Sequence, residues 1–219
     1  MPVRLLVGAV VVVAAMQPQA VRRLLARGAT PTVDEEHAAL PGDDLVPGAI
    51  VATHAITIDA PPAEVWPWLV QMGCDRAGWY SVDRLDNGGR PSADRIVPEL
   101  QGLAVGDAVP GWPGHRLLMH ARLVEPERAL VLEWRGRSSA LSWGFYLTPH
   151  DRGVTRLVVR LRAHYPQPGA LVVRALLPGH DVMQPLQLRR IRARIRLAAE
   201  RRSLSPRSAD PARSNPRRA

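Results

Sequence analysis

The spacing of apolar residues changes once along this chain, and that change constrains its fold more than any other feature. Between about residues 117 and 164 apolar residues recur at every second position, as where Leu157, Val159 and Leu161 alternate with arginines. A period of two indicates strands of a sheet with one buried face and one solvent-facing side. Beyond Pro168 the period becomes 3.6, which predicts a long amphipathic helix laid on that sheet.

One apolar stripe runs along the predicted helix and consists of Met183, Leu188, Ile191 and Ile195. Proline inside a helix removes a backbone hydrogen bond and clashes with the preceding turn. We therefore expect Pro178 and Pro185 to divide this helix.

Residues 50–59 alternate as an opening strand, and Pro61 and Pro62 follow where a helix start tolerates proline. Apolar residues then recur at helical spacing as far as Val70, and residues 78–87 predict a second short helix. The predicted fold class is α+β, with a curved antiparallel sheet, two short helices after the first strand and a long C-terminal helix.

The length of 219 residues predicts one domain with extensions. Residues 1–27 are an apolar N-terminal segment, but its uninterrupted run is shorter than the roughly 20 residues of a spanning helix. The segment fits a membrane anchor, a signal peptide or a helix packed on the domain. Residues 28–49 predict a linker, residues 50–200 the folded domain, and residues 201–219 a disordered arginine-rich tail.

The formal net charge of +9 comes from the two ends of the chain, because acidic residues outnumber basic ones between residues 28 and 188. A nucleic-acid-binding fold would carry its basic stripe on the structured surface, so no nucleic acid is expected. The distribution favours an anionic membrane surface as a partner. We expect a cytoplasmic protein, with residues 5–21 as a tether to the inner face of the membrane.

Several short motifs resemble those of one protein superfamily. They are residues 56–66 (ITIDAPPAEVW), 68–73 (WLVQMG), 78–81 (GWYS), 92–96 (SADRI) and 179–183 (GHDVM). The first resembles the opening strand and helix start of the SRPBCC superfamily, which is START-like or Bet v 1-like and includes the polyketide cyclase and dehydrase group. The others resemble a bacterial branch of it without an assigned activity. The resemblance implies the helix-grip fold, in which the sheet wraps around the C-terminal helix.

By implication of the resemblance, an apolar pocket lies between the sheet and the long helix. Tryptophan supplies a large apolar area and one hydrogen-bond donor, so the aromatic residues are the leading candidates for its lining. The candidate ligand-binding residues are Trp66, Trp79, Tyr80, Trp134, Trp143 and Met183. Binding of an apolar or lipid-like molecule is the leading hypothesis.

Two alternatives stay open at this point. One is a cyclase-, aromatase- or dehydratase-like enzyme, which needs polar groups that converge in the pocket to polarise a carbonyl and move protons. The candidates for that role are Tyr80, Asp83, Arg95 and His120. The other alternative is an interaction protein with a solid core.

Metal and nucleotide chemistry have no motif in the sequence. The seven histidines fall in no recognised ligand spacing, and Cys74 is the single cysteine, so neither a metal site nor a disulfide is expected. No phosphate-binding loop or dinucleotide fingerprint is present, and no cofactor is predicted. Cys74 is interpreted as a buried structural thiol.

Overall fold

A computed structural model of the chain describes residues 28–115, 117–167 and 169–204. Within these residues six strands form one antiparallel sheet in the order β1-β6-β5-β4-β3-β2. Their bounds are β1 Ile50–Ile58, β2 Ala108–Pro110, β3 Leu118–Glu125, β4 Ala129–Arg135, β5 Ala140–His150 and β6 Val154–His164. The chain returns from β6 to pair with β1, from Ile50 opposite Ala163 to Ile58 opposite Thr155, which places the first and last strands side by side.

In the described residues, four α-helices accompany the sheet: α1 Val33–His37, α2 Pro62–Val70, α3 Asp83–Asp86 and α4 Gly169–Leu204. Short 3-10 turns lie at Asp43–Leu45, Pro98–Leu100, Pro113–His115 and Asp151–Gly153. The two short helices follow the first strand, and α4 packs against β1 and α2. The predicted helix-grip architecture is confirmed.

The main core lies between the inner face of the sheet and helix α4. Ile56 and Leu157 from the sheet and Leu188 and Ile191 from the helix are fully buried there. The prediction that prolines divide the helix is wrong, because α4 runs without a break from Gly169 to Leu204. Packing of its apolar stripe against the sheet offsets the backbone hydrogen bond that each proline removes.

Residues 28–49, predicted as a linker, are instead part of the folded domain, because they pack against the outer face of the sheet. Arg160 of β6 is 3% exposed and donates to the carbonyl oxygens of Glu35, Glu36 and Ala38 and to Asp43. Arginine carries five donors and can tie several carbonyl groups at once. The segment therefore covers much of the sheet face that the alternating pattern predicted to be open to solvent.

Residues 201–204 of the predicted tail belong to helix α4, whereas residues 205–219 lie outside the described residues. Residues 1–27 lie outside them as well, so the membrane tether stays a prediction. In the described part of the chain, no helix combines the length and the hydropathy that crossing a membrane requires.

Candidate functional site

A cavity of about 430 Å³ lies between the inner face of the sheet, helix α4 and the segment that leads into α3. We call it the Trp79 cavity. Its surface is almost entirely apolar. It is lined by Trp79, Ser81, Leu85, Asp86, Gly111, Trp112, Leu117, Met119, Leu141, Trp143, Leu161, Gly179, His180, Met183, Gln184 and Gln187.

Two stacked indoles and two glutamines build one wall of the Trp79 cavity. The rings of Trp79 and Trp143 lie with their centroids 4.9 Å apart. Trp143 Nε1 donates to Gln184 Oε1 at 3.0 Å, Gln184 Nε2 donates to Gln187 Oε1, and Gln187 Nε2 donates to the carbonyl oxygen of Trp79 at 2.8 Å. Both glutamines are buried. This chain of bonds ties α4 to the indole of Trp143 and to the backbone of Trp79, and so fixes the wall in place.

A tight loop before α3 positions Trp79. Gly73 and Gly78 exchange backbone hydrogen bonds, and the φ of Gly78 is +79°. A Cβ on Gly78 would lie 2.3 Å from Ser92 Oγ, so only glycine fits at this position. Tyr80 also has a left-handed backbone, with φ 57°, and its N–H donates to Ser92 Oγ at 3.0 Å. The turn sends the neighbouring side chains of Trp79 and Tyr80 into two different aromatic groups.

Tyr80 belongs to a solid cluster beside the cavity, which we call the Tyr80 cluster: Trp68, Gln71, Tyr80 and Arg194. Its phenol oxygen accepts a hydrogen bond from Gln71 Nε2 at 2.6 Å, Trp68 packs edge-on against its ring, and the Arg194 guanidinium lies 4.9 Å from the ring centroid. Burial raises the pKa of Tyr80 to about 12. The phenol therefore stays protonated, and its contacts are those of a packed core residue.

Gln71 supplies most of the hydrogen bonds around this cluster. It is fully buried, and besides the phenol its Nε2 donates to the carbonyl of Arg95 at 3.1 Å. Its Oε1 accepts from the N–H of Val97 at 2.9 Å and from Gln101 Nε2 at 3.1 Å. One side chain thus connects α2 to the loop that follows α3.

The predicted ligand-binding residues separate into two groups. Trp79, Trp143 and Met183 line the cavity. Trp66 packs against the main core, Tyr80 lies in its cluster, and Trp134 stacks on Tyr165 with the ring centroids 6.2 Å apart. The last three do not line the cavity. Their roles as ligand contacts therefore find no geometric support.

The four candidates for catalysis do not converge on the cavity. Arg95 and His120 are exposed to solvent. Asp83 Oδ1 accepts a hydrogen bond from Ser92 Oγ at 2.5 Å, and the Tyr80 hydroxyl is bonded to Gln71. A cyclase-like mechanism built on these four residues therefore has no shared site.

Several lining residues were not among the sequence candidates. They are Asp86, Trp112, His180, Gln184 and Gln187. Two of them carried a signal that could have been used, because Gln184 and Gln187 stand three residues apart on the apolar stripe of α4. A polar residue in such a stripe indicates a buried hydrogen-bond network.

Asp86 is the one acidic residue among the described residues that line the cavity. It is 6% exposed, and its Oδ1 has no hydrogen-bond partner within the described structure. Burial, and then the charge of Asp83, raises the pKa of Asp86 to about 6. Hydrogen bonds from the main chain and from Ser81 lower the pKa, but by less than burial and Asp83 raise it. The ionised carboxylate is therefore in an unfavourable environment.

His180 lines the cavity, and a second histidine, His54, packs against it. His54 of β1 and His180 of α4 pack edge to face, with ring centroids 5.5 Å apart, and His54 Nε2 lies 3.6 Å from Asp181 Oδ1. Burial, and then the neighbouring His54, lowers the pKa of His180 to about 3. Burial lowers the pKa of His54 as well, against the opposing charge of Asp181. Both imidazoles are therefore neutral at pH 7.

The described residues contain no group of three or more histidine, cysteine, aspartate or glutamate side chains that could hold a metal ion. Cys74 is buried, and burial raises the pKa of its thiol. Besides the indoles, the polar side chains that line the cavity are those of Ser81, Asp86, His180, Gln184 and Gln187.

Known proteins resemble this chain in their structures. The protein MLL2253 from Mesorhizobium loti is 15% identical, with 68% of this chain and 98% of that one covered and a TM-score of 0.42. The Polyketide_cyc-like protein Cgl2372 from Corynebacterium glutamicum is 14% identical, with 75% and 99% covered and a TM-score of 0.37. CalU16 from Micromonospora echinospora is 16% identical, with 69% and 87% covered and a TM-score of 0.35.

The chain has the helix-grip fold. Its own strand order and its C-terminal helix establish that architecture. No family model and no curated protein sequence matches the chain. A shared fold does not determine function, which depends on the geometry and chemistry of the site.

Proposed function

We propose that the protein binds an apolar small molecule in the Trp79 cavity. The observation that carries the proposal is the cavity itself: about 430 Å³ with an almost entirely apolar lining. Ligand sites in proteins are typically clefts of about 300–1,000 Å³ with mainly hydrophobic and aromatic walls and a few polar groups.

The fixed position of the cavity wall also supports binding. An empty apolar cavity costs stability, because the atoms of its lining lack van der Waals partners on one side. The hydrogen bonds of Gln184 and Gln187 fix Trp143 and the Trp79 backbone at a set position relative to α4, which limits collapse of the cavity. A bound apolar molecule would restore the missing contacts.

Filling the cavity tests the proposal. Met183 lines it from α4, so Met183→Trp would occupy the space that a ligand needs. Leu197 is exposed on the same helix, and Leu197→Trp adds the same side chain outside the cavity. Wild-type protein and the Leu197→Trp control should bind the neutral apolar probe N-phenyl-1-naphthylamine with increased fluorescence, whereas Met183→Trp should lose at least about tenfold in affinity.

Native mass spectrometry of protein purified from expressing cells gives a second readout, in which organic solvent should release a bound mass from wild type but not from Met183→Trp. Equal probe binding by the two tryptophan variants would contradict the proposal. So would a wild-type protein that binds neither the probe nor a cellular molecule.

A further inference from the structure

The described lining of the Trp79 cavity carries negative charge and no positive charge at pH 7. Among the described lining residues, Asp86 is the only one that is charged at pH 7, because His180 is neutral there and neither lysine nor arginine contributes to the lining. Among these described residues, an anionic molecule would meet a carboxylate and no cation. The lining therefore disfavours fatty acids and other carboxylates.

Asp86 has no counter-ion among the described residues. The ionisable groups that interact with it are Asp83 on its own helix and the Cys74 thiol. Arg190 of α4 donates from Nη1 to the carbonyl oxygen of Ser81, another residue of the cavity lining. A carboxylate buried without a cationic partner is costly to the protein, and a ligand that supplies the cation would remove that cost.

The aromatic walls suit the same kind of ligand. Trp79, Trp112 and Trp143 all line the cavity. The face of an indole ring carries negative electrostatic potential and attracts ammonium groups within about 6 Å of its centroid. Indole walls together with a single carboxylate form an environment that accommodates both an apolar body and a positive nitrogen.

We propose that the ligand is a lipophilic amine, bound with its apolar body against the indoles and its protonated nitrogen paired with the Asp86 carboxylate. This inference rests on the proposed function, since it requires the cavity to hold an apolar molecule. It goes further in that it names the chemical class of the ligand and the residue that selects it. A neutral alcohol of the same shape would fill the cavity without forming the ion pair.

Three probes with one carbon skeleton test the selection: 4-phenylbutylamine, 4-phenylbutanol and 4-phenylbutanoate, titrated by calorimetry at pH 8 and pH 5. At pH 8 the amine should bind about tenfold more tightly than the alcohol, and the carboxylate most weakly. The alkylammonium keeps its proton at both pH values, since such groups titrate near about 10.4. The preference for the amine should therefore shrink at pH 5, where Asp86 is mostly protonated.

Asp86→Asn removes the charge and keeps the shape, while Asp59→Asn removes an exposed carboxylate elsewhere. The ratio of amine to alcohol affinity should fall to about one in Asp86→Asn and stay unchanged in Asp59→Asn. Because the alcohol serves as an internal reference, a partly destabilised variant still reports the ratio.

Equal affinity for amine and alcohol in wild type would overturn the inference and leave the proposed function standing, provided that Met183→Trp blocks the alcohol. A preference for the amine that survives in Asp86→Asn would overturn it as well. If none of the three probes binds and Met183→Trp matches wild type in every assay, the proposed function itself fails.

Discussion

Trp79 and Tyr80 are neighbours in the sequence, yet they belong to two aromatic regions of opposite character. In the Tyr80 cluster the phenol, the Gln71 amide and the Arg194 guanidinium all have partners. Around the Trp79 cavity, by contrast, Trp79 Nε1, Asp86 Oδ1 and His180 Nε2 have none within the described structure. Buried polar groups normally find partners. Aromatic content alone therefore does not indicate a ligand-binding site. Buried polar atoms without partners, next to an apolar cavity, are a better indication of one.

We expect substitutions of polar residues to change stability in opposite directions in the two regions: a loss in the Tyr80 cluster and a gain beside the Trp79 cavity. The largest effect is expected at Gln71. Gln71→Leu would leave the Tyr80 hydroxyl, the Arg95 carbonyl and the Val97 N–H without their partner. We expect the free energy of unfolding to fall by roughly 2–4 kcal/mol, as measured by urea denaturation. A loss below about 0.5 kcal/mol would mean that the Tyr80 cluster is not held as described.

Asp86→Asn should instead stabilise the ligand-free protein at pH 7, by on the order of 2 kcal/mol. Because the pKa of Asp86 is raised to about 6 by folding, the folded protein holds its proton more tightly than the unfolded chain does. Below the ordinary aspartate pKa both states are protonated and there is no penalty. The penalty grows as the pH rises from the ordinary aspartate pKa to about 6, and it levels off above that.

Urea denaturation of wild type and of Asp86→Asn between pH 4 and pH 7.5 measures this penalty. The stability difference between the two proteins should open as the pH rises, and Asp59→Asn should follow wild type throughout. A difference that does not change with pH would show that the Asp86 carboxyl titrates normally.

Tyr80→Phe is expected to have the smallest effect of the three, a loss of about 1–2 kcal/mol. The ring and its contacts with Trp68 and Arg194 remain, and only the acceptor of the Gln71 hydrogen bond is lost. Ligand affinity should not change, since Tyr80 does not line the cavity. A loss of probe binding with little change in stability would move Tyr80 from the solid cluster into the binding site.

The sequence predicted the fold from patterns that are local. Alternation along the strands, the stripe on α4 and the short helices after β1 each follow from the environment of neighbouring residues. The stripe also placed Met183 toward the sheet correctly. Trp134 shows the limit of such reasoning. It shares one face of β4 with Leu130 and Leu132, but alternation gives the face of a strand and not the position of the cavity along it.

The features that sequence reasoning missed depend on contacts between distant segments. Gln187 meets the carbonyl of Trp79 from 108 residues away. The segment 28–49 is held by Arg156 and Arg160, which lie more than 100 residues further along the chain. No periodic pattern marks such bonds, because an arginine that binds carbonyl groups looks in the sequence like any solvent-facing arginine.

The most direct test is an NMR titration of ¹⁵N-labelled protein that follows the indole N–H signals of the six tryptophans. The ligands are 4-phenylbutylamine and 4-phenylbutanol, and single Trp→Phe variants assign the signals. The account predicts that the signals of Trp79, Trp112 and Trp143 move on binding, while those of Trp66, Trp68 and Trp134 stay within their line widths. Signals that all stay in place, or shifts as large at Trp68 as at Trp79, would contradict the claim that the Trp79 cavity is the binding site.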